Sequence, residues 1–156
     1  MKKILLSLFT LIVATGAATA QGKPSLTDLA GIWNMYSIDV PGELYFNVQT
    51  DSVFVKTDEG QDSSAVAFTK EMMRGAMKSQ LEKANFFLDA GGNMYEGAEA
   101  DESKKMGKYD PSTGLVTVKE KESNEIKEIQ LLLQGNTLKM VTKEKEKTVT
   151  ILCKKK

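Results

Sequence analysis

From Phe86 onward the chain is cut into short period-two runs by turn signals roughly every ten residues, and this punctuation constrains the fold most. Phe86-Phe87-Leu88 runs into Gly91-Gly92 and out again through Asn93 to Gly97, which predicts a hairpin. Lys105 to Tyr109 meets Asp110-Pro111-Ser112-Thr113-Gly114, and Leu115 to Lys119 leads away. Ile129, Leu131 and Leu133 share a face before Gln134-Gly135-Asn136. Leu138 and Met140 follow, then the charged turn Glu144-Lys145-Glu146, then Val149, Ile151 and Cys153. Consecutive hairpins make a meander, and closing the meander on itself removes its exposed edges.

The upstream half supplies the other elements. Ser25 and Asp28 stand as a capping pair over Leu26 to Leu29, which predicts a short helix. Leu29-Ala30-Gly31-Ile32-Trp33 then opens the first strand and holds the only tryptophan. Alternation puts Trp33, Met35 and Ser37 on one face, with Ile32, Asn34, Tyr36 and Ile38 on the other. Pro41-Gly42 ends this run, and Glu43 to Gln49 and Ser52 to Thr57 read as two further strands. The acidic stretch Asp58 to Asp62 lacks the ligand ladder and closing glutamate of a calcium loop and reads as a solvated turn. The period then changes. Met72, Met73, Ala76, Met77, Leu81 and Ala84 share a helical face, opposite Glu71, Arg74, Lys78 and Glu82. This predicts one long amphipathic helix from about Thr69, as N-cap, to Asn85, with Ser64 to Phe68 open between strand and first helical turn.

The expected fold class is therefore all-β: an antiparallel up-and-down barrel of about 8–10 strands, with a short N-terminal helix and one long helix. The helical lead-in, Gly31-x-Trp33 on the first strand and the run of hairpins resemble the lipocalin (calycin) pattern. The long helix followed by Phe87-Leu88-Asp89-Ala90-Gly91-Gly92 and Gly107-Lys108-Tyr109 is similar to small secreted bacterial lipocalin-like domains. The resemblance implies a barrel with an arginine from near its end packed across Trp33. The chain departs from this: the only arginine, Arg74, lies on the predicted helix, and a lysine such as Lys139 or Lys154 could stand in, without the flat guanidinium that stacks on a ring.

The N-terminus points to export. Lys2-Lys3, the apolar run Ile4 to Val13 and Ala18-Thr19-Ala20 predict a signal peptide over residues 1–20, cleaved after Ala20 to leave a barrel domain over 21–156. The expected compartment is the periplasm or the exterior, with no membrane span after signal removal. Losing Lys2 and Lys3 leaves 19 basic against 21 acidic side chains, a net −2 that offers no basic face to nucleic acid. A lone cysteine, Cys153, excludes an internal disulfide, so the core must supply the stability.

Chemistry is sparse. There is no histidine, no glycine-rich phosphate loop and no nucleophile elbow. The many acids lie in mixed charge runs such as Lys119 to Glu128, the pattern of a solvated face. The expectation is a non-enzyme without cofactor or metal. Methionine thioethers suit Cu(I), but Met72, Met73 and Met77 lie on the apolar helical stripe and Met35, Met94, Met106 and Met140 on strands, where methionine fills core gaps. Two functions remain open. One is binding of a small hydrophobic molecule in the barrel, lined by Trp33, Phe46, Met73, Met77, Tyr95 and Tyr109. The other is a non-catalytic envelope protein-interaction module whose barrel is filled by those same side chains.

Overall fold

The computed structural model describes residues 23–57, 60, 62–119, 126–144 and 146–156. The predicted signal peptide and most of the Asp58 to Asp62 turn lie outside them. Helix α1 (Leu26–Leu29) is followed by strands β1 (Gly31–Val40), β2 (Leu44–Asn47) and β3 (Ser52–Val55). Helix α2 (Ser63–Leu81) leads to β4 (Asn85–Leu88), β5 (Asn93–Glu96) and a single 3-10 turn, Glu102–Lys104. The chain ends in β6 (Lys105–Asp110), β7 (Leu115–Lys119), β8 (Ile126–Gln134), β9 (Thr137–Glu144) and β10 (Lys147–Lys155). Among the described residues no helix is long and apolar enough to cross a membrane.

Strands β4 to β10 pair in chain order, and β10 and β4 both pair with β1, closing an eight-stranded antiparallel up-and-down barrel. Its hairpins turn where glycine, aspartate and proline predict them. Phe87 faces Tyr95 and Leu88 faces Met94 around Gly91-Gly92, and Tyr109 faces Val116 around the Asp110 to Gly114 turn. The hairpin β2–β3 is an addition to this barrel. It pairs with Ser37 to Val40 on the edge of β1 that β4 uses farther back, at Gly31 to Asn34.

The first strand departs from simple alternation. A bulge between Met35 and Ser37 adds a residue to β1, so Met35 faces Cys153 while Ile38 faces Ile151. Met35 and Ile38 therefore share a face, and the expected grouping of Trp33, Met35 and Ser37 breaks at the bulge. Ser37 is buried instead through a hydrogen bond from its hydroxyl to the Phe46 carbonyl oxygen at 3.0 Å.

The long helix also begins earlier than expected. Asp62, not Thr69, is its N-cap, accepting from the Ser64 amide at 2.7 Å. Thr69 sits inside the helix and returns its hydroxyl to the Ala65 carbonyl oxygen at 2.9 Å. The helix ends at Leu81, and Asn85 belongs to β4. Leu81 is its one buried residue, with Val66, Met73 and Met77 half-buried; Met72 and Ala76, expected on the inner stripe, are exposed.

Candidate functional site

The barrel has a closed end built around Trp33. Ser25 caps α1, accepting from the Asp28 amide at 3.2 Å and donating to the Asp28 carboxylate at 2.6 Å. This places Leu29 under the barrel, where its carbonyl oxygen accepts the Trp33 indole N–H at 2.8 Å. The Tyr109 hydroxyl reaches across to the Pro24 carbonyl oxygen at 2.7 Å and ties down the lead-in. Lys155 covers the indole from the last strand, its Nζ 5.5 Å from the ring and donating to the Asp28 carbonyl oxygen at 2.9 Å. The basic side chain over Trp33 is thus Lys155, neither Lys139 nor Lys154. Its place explains Gly31: the backbone has φ 129°, and a Cβ there would sit 3.0 Å from the Lys155 Cε.

Behind Trp33 the interior is packed. Leu29, Trp33, Phe86, Leu88, Met94, Tyr109, Val116, Leu131, Leu138, Met140 and Cys153 form one buried cluster. Burial pushes the Cys153 thiol up to about 12, so it stays protonated, its Sγ against the Met140 Sδ at 3.7 Å. Half-buried Met35, Met106, Val118, Ile129 and Ile151 extend the cluster toward the other end. There the packing opens into a cleft of about 370 Å³. Met35 and Met106 floor it, and Lys83, Asn85, Glu96 and Lys104 stand around it. Lys104 also pairs with Asp101 at 3.5 Å.

A second, larger opening of about 1040 Å³ lies along the far parts of β8, β9 and β10. It is lined by Gln130 and Val141, which are register partners, together with Lys143, Lys147, Val40 and Glu43. The Glu43–Lys147 ion pair, 2.6 Å long, fixes part of its wall. It borders on the exposed Ile126 and has no member of the core cluster in its lining. For an apolar ligand the smaller cleft is the better candidate, because it joins the interior through two thioethers.

The side chains expected to line a ligand site are dispersed. Trp33 and Tyr109 meet in the core cluster. Phe46 is buried outside that cluster, facing Ile38 and Val53 across the β1–β2–β3 ladder. Met73 and Met77 are half-buried on α2. Tyr95 is buried on the sheet face opposite Met94, stacked on Phe87 at 6.3 Å. None of the six lines either cleft.

Tyr95 belongs instead to a polar staple at the β4–β5 turn. Asp89 Oδ1 accepts from the amides of Gly91 at 2.9 Å and Asn93 at 2.8 Å. Its Oδ2 accepts from the Asn93 side chain at 2.8 Å and the Tyr95 hydroxyl at 3.2 Å. The same hydroxyl lies 3.1 Å from Glu102 Oε1, and its single proton serves two carboxylates. Burial, then Glu102 and Asp89, push the Tyr95 phenol up to about 12. For Asp89, burial alone raises the carboxyl, but the Asn93, Tyr95 and Gly91 donors together hold it below its ordinary value. The carboxylate therefore stabilises the fold above its unfolded pKa of about 4, and this contribution fades as pH falls through the lower folded value. Asp89→Asn is expected to cost roughly 1–2 kcal/mol at neutral pH, since its amide meets two donors. In urea titrations the gap between wild type and variant should close on acidification below about pH 4. A gap unchanged between neutral and acid pH would show that the carboxylate charge does not hold this turn.

Among the described residues no group of three or more histidine, cysteine, aspartate or glutamate side chains is placed to hold a metal ion. No family model matches the chain, and neither a curated protein nor a solved structure does. The closed eight-stranded barrel itself is compatible with a lipocalin-like fold.

Proposed function

We propose that this is an exported, non-catalytic lipocalin-like domain that binds a small hydrophobic molecule at the open end of its barrel. The observation that carries this reading is the junction of core and cleft at Met35 and Met106. One end of the interior is sealed by Trp33, Leu29 and Tyr109, while the other gives onto a cleft of about 370 Å³, within the size range of small-molecule pockets. Thioethers form an adaptable apolar floor, and the charged groups at the rim stay in water when an apolar body enters. The lipocalin-like assignment is supported by α1 beneath β1, by Gly31-x-Trp33 at the closed end and by Lys155 over the indole. Export to the periplasm or exterior rests on residues 1–20 alone. The alternative, an envelope protein-interaction module with a filled barrel, draws on the density of the closed end, where eleven buried side chains form one cluster.

Titration of the mature chain with 1-anilinonaphthalene-8-sulfonate separates the two. Binding should be saturable, with energy transfer from Trp33, and Met106→Asp should weaken it at least tenfold, because a carboxylate would stand where the apolar body rests and would repel the probe's sulfonate. Met106 is half-buried, so this variant should keep the far-UV circular dichroism of the wild type. No saturable binding, or binding indifferent to both Met106→Asp and Met35→Asp in folded protein, would favour the filled module.

A further inference from the structure

Helix α2 is apolar on two sides, and only one side is used. Val66, Met73, Met77 and Leu81 are half-buried or buried, and α2 packs mainly against β3 and β1. On the opposite side Ala65, Phe68, Met72, Gly75 and Ser79 are all exposed and follow one another at alternating spacings of three and four. That is the seam of a helix pair. Phe68 is 67% and Met72 61% exposed, an (i, i+4) pair of large apolar side chains left open among the described residues.

Gly75 is the second observation. It lies in the helix interior, where glycine is unfavourable relative to alanine. Its φ is not positive, and a Cβ built there would meet nothing within 4 Å. Nothing among the described residues requires a glycine there. A neighbouring helix would, because a glycine in the seam admits a large side chain from the other side.

We propose that the partner on this face is a second copy of the chain, bound through an antiparallel α2–α2 contact about a two-fold axis between Met72 and Gly75. The stripe is self-complementary in this arrangement. Met72 of each copy faces the partner's Gly75, and Phe68 faces the partner's Ser79, large against small in both layers. Beside the seam, Glu71 comes opposite the partner's Lys78, twice by symmetry. Both are exposed, and Arg74 occupies only the Oε2 of Glu71. A parallel pair would place Phe68 on Phe68 and Met72 on Met72 and would set Glu71 beside the partner's Ala76, losing both matches. An anionic lipid surface fits less well, because Lys70 and Arg74 lie toward the protein-facing side and Glu71 and Glu82 near the stripe. One helix pair buries less than a standard stable interface, so the dimer should be weak, with Kd in the micromolar range or above.

Sedimentation velocity of the mature protein over a wide micromolar range tests the contact. A concentration-dependent monomer–dimer equilibrium is expected. Phe68→Glu, at an exposed position that should not disturb folding, should raise Kd at least tenfold. Lys78→Glu should weaken association, and adding Glu71→Lys should restore it. Gly75→Ala should raise the melting temperature of the monomer yet weaken the dimer, opposite signs that a purely intramolecular helix would not give. A monomer at every concentration would overturn the proposal, as would a dimer insensitive to Phe68→Glu. So would dimerisation strengthened by Gly75→Ala, or a monomer that instead sediments with phosphatidylglycerol vesicles.

Discussion

Replacing Trp33 with alanine is expected to destabilise the fold by about 3–5 kcal/mol, the range for emptying an aromatic site in a core. The indole is 1% exposed and belongs to the main core cluster. Its loss removes the ring, and it also leaves the Leu29 carbonyl oxygen without the N–H it accepts at 2.8 Å. Lys155 loses the ring it covers at 5.5 Å, a smaller loss for an exposed ammonium. In a domain of this size the change corresponds to a melting temperature lower by roughly 10–20 °C. Trp33→Phe keeps most of the packing and should fall well short of that. Because Trp33 is the only tryptophan, its emission reports directly on this end of the barrel, and native protein should emit at the blue wavelengths of a dry site. Red emission together with a harmless alanine variant would mean that the barrel closes around something other than Trp33.

Much of this end was legible in the sequence, for reasons that can be named. Glycine, proline and aspartate at turns are demanded locally, so the hairpins from Phe86 to Cys153 follow from neighbouring residues alone. Ser25 and Asp28 declare α1 in the same way. Lys155 was missed although strand alternation carried the signal: it follows the inward Cys153 by two residues and so returns to the Trp33 face, whereas Lys154 points away. Other features depend on partners distant in sequence. The extra residue between Met35 and Ser37 appears only when β1 meets β10. The start of α2 hinges on Asp62, one polar residue among several, and the six residues from Ser63 to Phe68 have only Val66 on the inward side to announce them. The candidate cleft draws on β1, the α2–β4 connection, β5, the 3-10 turn and β6. No spacing in the chain brings Met35, Lys83, Glu96, Lys104 and Met106 together; barrel closure does. The aromatic residues that stood out by size became core because a small closed barrel has room for little else.

Gly107→Ala should be the most damaging of the small substitutions, at a position no turn signal singles out. Gly107 lies in β6 with Met94 on one side and Val118 on the other, and its φ is not positive, so turn geometry does not explain it. The reason is the approach of β7. A Cβ on Gly107 would lie 2.3 Å from the Thr117 carbonyl oxygen and 3.1 Å from its carbonyl carbon, both backbone atoms. The Val116 side chain stands at 3.1 Å as well. A side chain can rotate aside, but Thr117 is fixed between Lys108 and Glu128 in the ladder, so relief requires β6 and β7 to part. Overpacking of this kind costs about 1–3 kcal/mol when side chains give way, and more when the backbone must. The expected loss is therefore roughly 3 kcal/mol or more, a large share of the 5–15 kcal/mol that holds a typical domain together. Gly42→Ala is the control, because a Cβ there meets nothing within 4 Å and only its φ of 76° is strained. Urea unfolding of the two variants should differ by several-fold in lost stability. Equal, small losses would mean that β6 and β7 approach less closely at Gly107 than this geometry requires.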